Sequence, residues 1–415
     1  MRHARRIGAA AVLLVLIAWT AAEGNKDPIV VGAVYPTAGP QGGPGAGSDE
    51  LHGLELAAAF VNANGGIRGR PIQIRLAPAD SLDAAADAVE YLARQGVTVI
   101  AGSYGSTIAR PAAEAAARLG LVFWETGAVG EIGPEAAPGR HFFRVAPSGA
   151  VLGREAVAFV RDQLTPRLDV RRPLRYSVVY VDDGFGRAEA QGEVAELRRS
   201  QLPLAASLGY DPWHPNYRGL VAAITGAHTD VLIAAGYMED AVGLRQAIVS
   251  ARVPLAVTIG GCSAFIMPEF GRRLGQEAVG VFASDKTGGD VLPTRALSPD
   301  AGRQLVWARQ EFKRRYGHPL WEPGLSGFSG GIALFQHVLP RAPGLSAGAV
   351  GAAIQRVTLP VGGLPNGSGL AFAPPGAPFA GENLRAVSVI WEWVAPYTRA
   401  LVWPPAFATH PIVFP

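Results

Sequence analysis

Short apolar runs alternate with segments of helical periodicity along most of the chain. The first pair is Pro28–Tyr35, an apolar and β-branched run that predicts a buried strand, and Asp49–Asn64, where leucines recur near helical spacing. Such alternation with short connections is typical of parallel sheets flanked by helices. Further strands are predicted at residues 72–76, 97–101, 121–124, 176–181, 204–208, 231–235 and 255–259, and further helices at 81–95, 106–119, 149–164, 184–200, 217–227 and 238–251.

The alternation pauses twice, and the pauses divide the chain. The first lies near Phe143–Pro147 and the second near Val279–Ala283. Two long helices, predicted at 300–316 and 326–338, follow without strands between them, and we expect them to return to the first lobe. The tail, rich in Pro, Gly and Trp, contains one predicted strand at 386–393. We therefore predict one lobe of residues 27–145 plus 283–360 and a second of residues 146–282 plus 361–415.

The N-terminus has the layout of a secretory signal peptide. Met1–Arg6 is positively charged, Ile7–Trp19 is an unbroken apolar run, and small residues follow at 20–22. An uncleaved anchor is the alternative, but a membrane-spanning helix needs about 20 apolar residues. No cysteine follows the run, so a lipoprotein is not expected. The sequence predicts a signal peptide over 1–22 and a periplasmic or extracellular location.

Composition and charge exclude several classes of protein. A chain of 415 residues that is 49% hydrophobic and 17% charged contains enough apolar side chains to form large hydrophobic cores. This excludes disorder over the chain as a whole. The formal charge of +3 comes from three arginines in the first 22 residues, and the rest carries 34 basic and 34 acidic residues. No basic stripe with aromatic side chains is present, so a nucleic-acid partner is not expected. A single cysteine excludes an internal disulfide.

The patterns that would indicate an enzyme are weak or missing. Gly327–Gly331 matches the G-x-S-x-G string, but Trp321–Gly324 before it breaks strands, and a nucleophile elbow needs a strand there. No glycine-rich dinucleotide or phosphate motif follows a predicted strand. The eight histidines lack the spacing of metal ligands. We therefore predict no catalytic residues, no cofactor and no metal.

Several short motifs occur in the order and spacing of a known family. They are Pro36–Gly39 after the first strand, Gly53–Ala57 and Asn62–Arg70 on and after the first helix, and Gly102–Ser106 after the third strand. The chain resembles the leucine/isoleucine/valine-binding type of periplasmic protein, the type I solute receptors of ABC importers. The resemblance covers roughly residues 28–340. It implies an α/β fold of two doubly wound Rossmann-like lobes joined by three hinge crossovers, which close on a solute.

The resemblance places one wall of the site on first-lobe loops. The loop after the third strand, with Ser103, Tyr104, Ser106 and Thr107, would hold a solute carboxylate with hydroxyls and amides. Ser106 also opens a predicted helix, so capping is an alternative or additional role. The next loop contributes Trp124 and Gly127. Trp124 either stacks on solute or is buried at the end of its strand.

The second wall would come from Phe185, Tyr237 and Cys262. Phe185 follows Asp182 and Asp183, which either cap the next helix or line the cleft. Cys262 stands where amino-acid binders of this family commonly keep an acid for the ammonium group. A thiol does not supply that charge unless its pKa is lowered. Glu239 or Asp240 would have to substitute, unless both are ordinary acids at a helix N-terminus; otherwise the solute lacks an α-ammonium group.

The resemblance implies the solute-binding component of an ABC importer. It would capture a small polar organic solute, an amino acid or related carboxylate or amide, and deliver it to the membrane permease. A monomer is expected. The alternative is a ligand-sensing receptor or regulator on the same fold, and a hydrolase is a weaker one.

Overall fold

Twelve strands form two separate sheets in the computed structural model, which describes residues 27–39, 41–43 and 45–413. The predicted signal peptide, 1–22, lies outside these residues. The described part contains no helix long and apolar enough to cross a membrane.

The first sheet is built from the N-terminal strands, in the spatial order β2-β1-β3-β4-β5, and all its neighbours are parallel. Burial is nearly complete in β1, β3 and β4, as the apolar runs predict. The helices between these strands include α2, whose N-cap Ser81 accepts a hydrogen bond from the N–H of Ala84. The elements are β1 (Ile29–Val34), α1 (Gly47–Ala63), β2 (Ile72–Leu76), α2 (Leu82–Arg94), β3 (Val99–Gly102), α3 (Ser106–Arg118), β4 (Val122–Glu125) and β5 (Phe142–Arg144).

The second sheet has seven strands in the order β12-β11-β10-β9-β8-β6-β7. Strands β6 to β10 are parallel, and β11 and β12 add an antiparallel pair at one edge. Its elements are α4 (Gly149–Phe159), β6 (Tyr176–Val181), α5 (Gly184–Arg199), β7 (Leu204–Tyr210), α6 (Tyr217–Gly226), β8 (Val231–Ala235), α7 (Met238–Ser250), β9 (Val257–Gly261), α8 (Pro268–Leu274), β10 (Val281–Asp285), β11 (Val389–Ala395) and β12 (Thr398–Trp403).

The chain passes between the two sheets three times, after β5, after β10 and before β11. Three helices follow the second passage: α9 (Pro299–Tyr316), α10 (Glu322–Ile332) and α11 (Ala347–Arg356). The indole of Trp124 in β4 donates to the carbonyl of Gly330, so α10 packs on the first sheet as expected. The structure thus has the predicted architecture of two doubly wound lobes with three crossovers.

The predicted division of the chain differs from the strand pairing at two places. Residues 283–285, assigned to the first lobe, belong to β10 in the second sheet. Phe372, assigned to the second lobe, packs on Trp124 and Phe143 of the first. The first lobe therefore keeps a longer part of the C-terminal segment than the sequence pattern indicates, because that segment returns to the second sheet only at β11.

Most predicted elements are confirmed to within a few residues. Helix α10 begins at Glu322 rather than 326, because Pro323 fits the first turn, where no N–H is needed. The predicted strand at 386–393 is β11, at 389–395. The sequence pattern missed β5, β10, β12, α8 and α11.

The glycines of α10 explain the G-x-S-x-G string. A Cβ at Gly327 would lie 1.8 Å from the carbonyl oxygen of Glu50, and one at Gly331 2.5 Å from the Cβ of Ala57, both in α1. The glycines therefore let α1 and α10 approach closely. Ser329 is fully buried inside the helix, which is not the strand-to-helix turn that a nucleophile needs.

Candidate functional site

A buried carboxylate organises the first-lobe side of the cleft. Strands β3 and β4 end side by side, and the carboxylate of Glu125 accepts hydrogen bonds from the N–H groups of Ser103 (3.0 Å), Gly127 (2.9 Å) and Ala128 (2.8 Å). Burial raises the pKa of Glu125, and these backbone donors partly oppose the rise. Both loops are thus fixed by one side chain.

The start of α3 lies in this wall. Its N-cap is Gly105, and no side chain caps the helix. Ser106 is the first helical residue, and its Oγ accepts from the N–H of Gly130 at 2.9 Å instead of capping the helix. Thr107 donates to Gln41 at 3.3 Å. The uncapped N-terminus of a 13-residue helix presents N–H groups and a partial positive charge.

Asp183 joins two of the predicted residues on the second-lobe side. Its carboxylate caps α5 by accepting from the N–H groups of Phe185 (2.9 Å) and Gly186 (3.0 Å), and it also accepts from the hydroxyl of Tyr237 at 2.5 Å. The rings of Phe185 and Tyr237 lie 5.5 Å apart. Asp183 therefore both caps the helix and positions a side chain at the end of β8. Asp182 pairs with Arg187 instead.

The two walls touch each other. The hydroxyl of Tyr104, on the first lobe, lies beside Ser263 on the second. The N–H of Glu131 donates to the carbonyl of Gly184 at 3.3 Å. A Cβ at Gly45 would lie 2.6 Å from Met267. The structure therefore shows the cleft in a closed arrangement.

Cys262 follows β9 and brings no charge. The thiol is buried, its backbone has φ of 38°, and burial raises its pKa well above the usual value. Neither acid considered as a substitute is free. Glu239 forms an ion pair with Arg273, and Asp240 accepts from the hydroxyl of Tyr217 (2.9 Å) and the N–H of Tyr237 (3.2 Å).

The sequence pattern missed Lys286, which lies at the floor of the cleft. Its Nζ is 3.1 Å from Glu322 Oε1 and donates to the carbonyl of Gly127 at 3.0 Å. Burial disfavours its charged form, but the acidic groups around it outweigh burial and raise its pKa. Lys286 and Glu322 are almost fully buried and link the end of β10 to α10 and the β4 loop.

Gly127 has a steric role next to this pair. A Cβ at this position would lie 2.1 Å from Glu50 Oε2. Glu50 is itself buried and accepts from Thr126 at 2.5 Å. Only a glycine fits between this carboxyl group and the cleft loop.

Two acids near Cys262 lack full sets of hydrogen-bond partners. Among the described residues, neither carboxyl oxygen of Glu189 has a partner, and Oδ2 of Asp285 has none. Both side chains are fully buried. Burial raises the pKa of Asp285 to about 7 and that of Glu189 well above its usual value.

Trp124 does not line the cleft. Its side chain is fully buried, its ring packs on Phe372 with centroids 5.5 Å apart, and its N–H donates to Gly330 at 3.0 Å. The stacking alternative is therefore wrong, because core partners occupy the indole. Eight of the predicted residues lie on the facing loops or on the first turns of the helices that follow them: Ser103, Tyr104, Ser106, Thr107, Gly127, Phe185, Tyr237 and Cys262. Within the described ranges, no group of three or more His, Cys, Asp or Glu side chains is arranged to hold a metal ion.

Comparison with known proteins identifies the family. Residues 28–363 match the sequence model of the periplasmic binding protein family. The chain belongs to this family. The resemblance stated from the motifs is thereby confirmed, and the match extends beyond them into the C-terminal segment.

Curated relatives and solved structures agree with this assignment. The Leu/Ile/Val-binding protein homolog 8 of Brucella suis is 26% identical over 391 residues, 92% of each chain, and homolog 7 of Brucella melitensis is 25% identical over 90% of each. A leucine-binding protein of Thermotoga maritima superposes with a TM-score of 0.74 at 13% identity, over 90% of this chain and 98% of that one. At this identity the structural likeness shows the shared fold.

Another similar solved structure contains a bound solute. The branched-chain amino acid transporter substrate-binding protein of Streptococcus pneumoniae, in complex with isoleucine, has a TM-score of 0.70 at 15% identity, and the match covers 91% of this chain and all of that one.

Proposed function

We propose that this protein is the extracytoplasmic solute-binding component of an ABC-type importer and that it captures a small polar organic solute between its two lobes. The observation that carries the proposal is the meeting of loops from both doubly wound sheets at the carboxyl ends of their strands. In open α/β sheets, ligands bind at this edge, beside the point where the strand order reverses. Here β1 and β3 flank that point in the first sheet, and β6 and β8 in the second.

The first-lobe wall suits a carboxylate or another polar, electron-rich group. The uncapped start of α3 offers backbone N–H groups and the positive end of the helix dipole. The loops beside it are held in place by Glu125, so little order has to be gained when solute binds. An amino acid or a related carboxylate or amide matches this wall.

Contacts across the cleft explain how binding is coupled to closure. Tyr104 and Ser263 meet only when the lobes approach, and a solute held by both walls stabilises the same arrangement. Its differential affinity for the closed state shifts the population, which a membrane permease can then recognise. The proposal includes no chemical transformation of the solute.

A thermal-shift screen of the mature chain tests the proposal. Amino acids, aromatic acids, short amides and urea-like compounds form the panel, and a bound solute raises the melting temperature by mass action. The response should fall in Tyr237→Ala and Ser106→Ala and persist in Tyr91→Ala, which changes an exposed tyrosine of α2. A chain that responds to no compound, or variants that respond like the wild type, would contradict it.

A further inference from the structure

A cavity of about 320 Å³ lies in the second lobe, away from the cleft. It is bounded by the C-terminal half of α7, by the connection from α7 to β9 and by residues at the start of β9 and just before β10. Thr258 in its wall precedes Cys262 of the cleft loop by four residues of extended chain, which is about 13 Å. The cavity is therefore separate from the solute cleft and lies at the opposite ends of the same strands.

Two arginines line this cavity, and within residues 27–39, 41–43 and 45–413 neither forms an ion pair. The Nε of Arg245 donates to the carbonyl of Glu277 at 2.7 Å, and among the described residues its two terminal nitrogens have no hydrogen-bond partner. The side chain of Arg252 has no hydrogen bond within the same part of the chain. Burial lowers the pKa of Arg245, and the carboxyl group of Glu277 opposes this shift from a longer distance. Several guanidinium N–H groups are thus available to a ligand.

The arginines of the adjacent helix α8 differ, because each has a carboxylate partner. Arg272 binds Glu269 of the same helix, and Arg273 binds Glu239 of α7. Arg252, just after the C-terminus of α7, suits the negative end of the helix dipole even without a ligand. Arg245 lies in the middle of α7, where the dipole gives no such reason for a half-buried cation.

The rest of the cavity wall is largely apolar. Ile248, Val253 and Leu255 supply aliphatic side chains, and Thr258 adds a hydroxyl without a hydrogen-bond partner in the described part of the chain. Small-molecule sites combine apolar walls of this kind with a few polar groups that orient the ligand. An inorganic anion gains nothing from an apolar wall, whereas an anion with a short apolar chain uses both parts. The composition of the wall therefore favours an organic anion.

We propose that this cavity is a second ligand site, which binds a small carboxylate with a short apolar chain. The carboxylate accepts hydrogen bonds from the terminal nitrogens of Arg245 and from Arg252, because a planar guanidinium group matches a carboxylate in geometry and charge. The chain of the ligand packs on the aliphatic side chains of the wall. The inference goes beyond the proposed function, since it concerns a ligand other than the solute held between the lobes.

Nuclear magnetic resonance of isotope-labelled isoleucine methyl groups tests the inference. Ile248 lines the cavity and therefore reports its occupation, and the variant Ile248→Val identifies the Ile248 signal. Hexanoate is the main probe at pH 7. Hexanamide keeps the chain and removes the charge, acetate keeps the charge and removes most of the chain, and inorganic phosphate is an anion without a chain.

Four variants separate this cavity from other sites. Arg245→Gln and Arg252→Gln each remove one cation of the cavity, and Arg252 is exposed, so its substitution leaves the fold intact. Arg272→Gln, which removes an exposed arginine of α8, is the matched control. Tyr237→Ala alters the cleft and shows whether the probe binds there. Thermal unfolding of each variant verifies that it is folded.

We expect hexanoate to shift the Ile248 signal saturably and to bind at least tenfold more tightly than hexanamide, acetate or phosphate. Arg245→Gln and Arg252→Gln should each lower the affinity at least fivefold, because each removes a charged donor. The affinity should also fall as salt is added, since the site is open to solvent. Arg272→Gln and Tyr237→Ala should leave the Ile248 response unchanged.

Three results would overturn the inference. Equal affinities for hexanoate and hexanamide show that the arginines do not recognise charge, and equal affinities for hexanoate and phosphate show that the apolar wall contributes nothing. An Ile248 signal that does not respond to hexanoate, or a response lost in Tyr237→Ala and kept in both arginine variants, refutes binding in this cavity. The proposed function stays open in each case, because the thermal-shift screen tests it at the cleft.

Discussion

Glu125 at the end of β4 and Glu189 in α5 are both fully buried glutamates, yet their surroundings are opposite. Glu125, in the first lobe, accepts hydrogen bonds from three backbone N–H groups. Glu189, against the end of β9 in the second lobe, has no hydrogen-bond partner among the described residues. The first group holds loops in place, and the second has no donor that would stabilise its charged form.

The difference shows that hydrogen-bond donors decide what a buried carboxyl group contributes to the fold. A carboxylate surrounded by donors of its own chain stabilises the fold, and little remains for a ligand. A buried carboxyl group without donors is destabilised in its charged form. Removal of the Glu125 carboxyl group should therefore lower the free energy of unfolding, and removal of the Glu189 carboxyl group should raise it. The two removals should also change solute affinity by different amounts.

The largest effect is expected from Glu125→Ala. The substitution takes an acceptor from three backbone N–H groups and leaves a cavity, so we expect the free energy of unfolding to fall by about 4 kcal/mol. Urea unfolding at pH 7 measures the loss. Glu131→Ala, at an exposed position of the following loop, should change the unfolding free energy by less than about 0.5 kcal/mol. Similar stabilities for the two variants would show that the carboxylate does not organise the loops.

A smaller, pH-dependent effect is expected from Glu193→Gln. Burial raises the pKa of Glu193 from 4.5 to about 8. The folded chain therefore binds the proton more tightly than the unfolded chain, and its stability falls as pH rises from about 4.5 through 8. The amide has no such penalty, so the variant should gain on the order of 2 kcal/mol over wild type at pH 8.5 relative to pH 5. Partial relaxation reduces the gain below the full pKa difference.

Thermal unfolding over pH 5–8.5 measures this difference. Glu155→Gln, in which an exposed carboxyl group is replaced, serves as the control. Its stability should depend on pH in the same way as that of the wild type. A Glu193→Gln curve parallel to wild type would mean that the carboxyl group is ionised and stabilised in the folded chain.

The sequence predicts the alternating elements and both lobes because apolar runs and helix caps are local signals. Ser81 caps α2 as expected, and the strand ends place Ser103 and Tyr237 on facing loops. The interpretation of Trp124 failed because a strand-end tryptophan looks the same in the sequence whether it meets solute or Gly330.

No local feature of the sequence predicts the charged side chains at the floor of the cleft. Glu189, Lys286 and Glu322 lie on α5, after β10 and on α10, and only the passages between lobes bring them together. One sequence feature did point to Lys286. Lysine is rare in this chain, and this lysine directly follows the apolar strand β10. Its partner could not be named without the fold.

The smallest effect is expected from Tyr104→Phe, which concerns the contact between the two walls. The substitution removes the hydroxyl that lies beside Ser263 and keeps the ring. A polar contact of this kind contributes about 1 kcal/mol, so solute affinity should fall about fivefold without a change in solute preference. Tyr210→Phe is the control, because the Tyr210 hydroxyl lies beside Asp240 within the second lobe. Calorimetry measures affinity, and small-angle scattering of the solute-free chain should show a larger radius of gyration for Tyr104→Phe alone. Equal losses in both variants would indicate that Tyr104 acts on folding and not on closure, because of these two tyrosines only Tyr104 lies between the lobes.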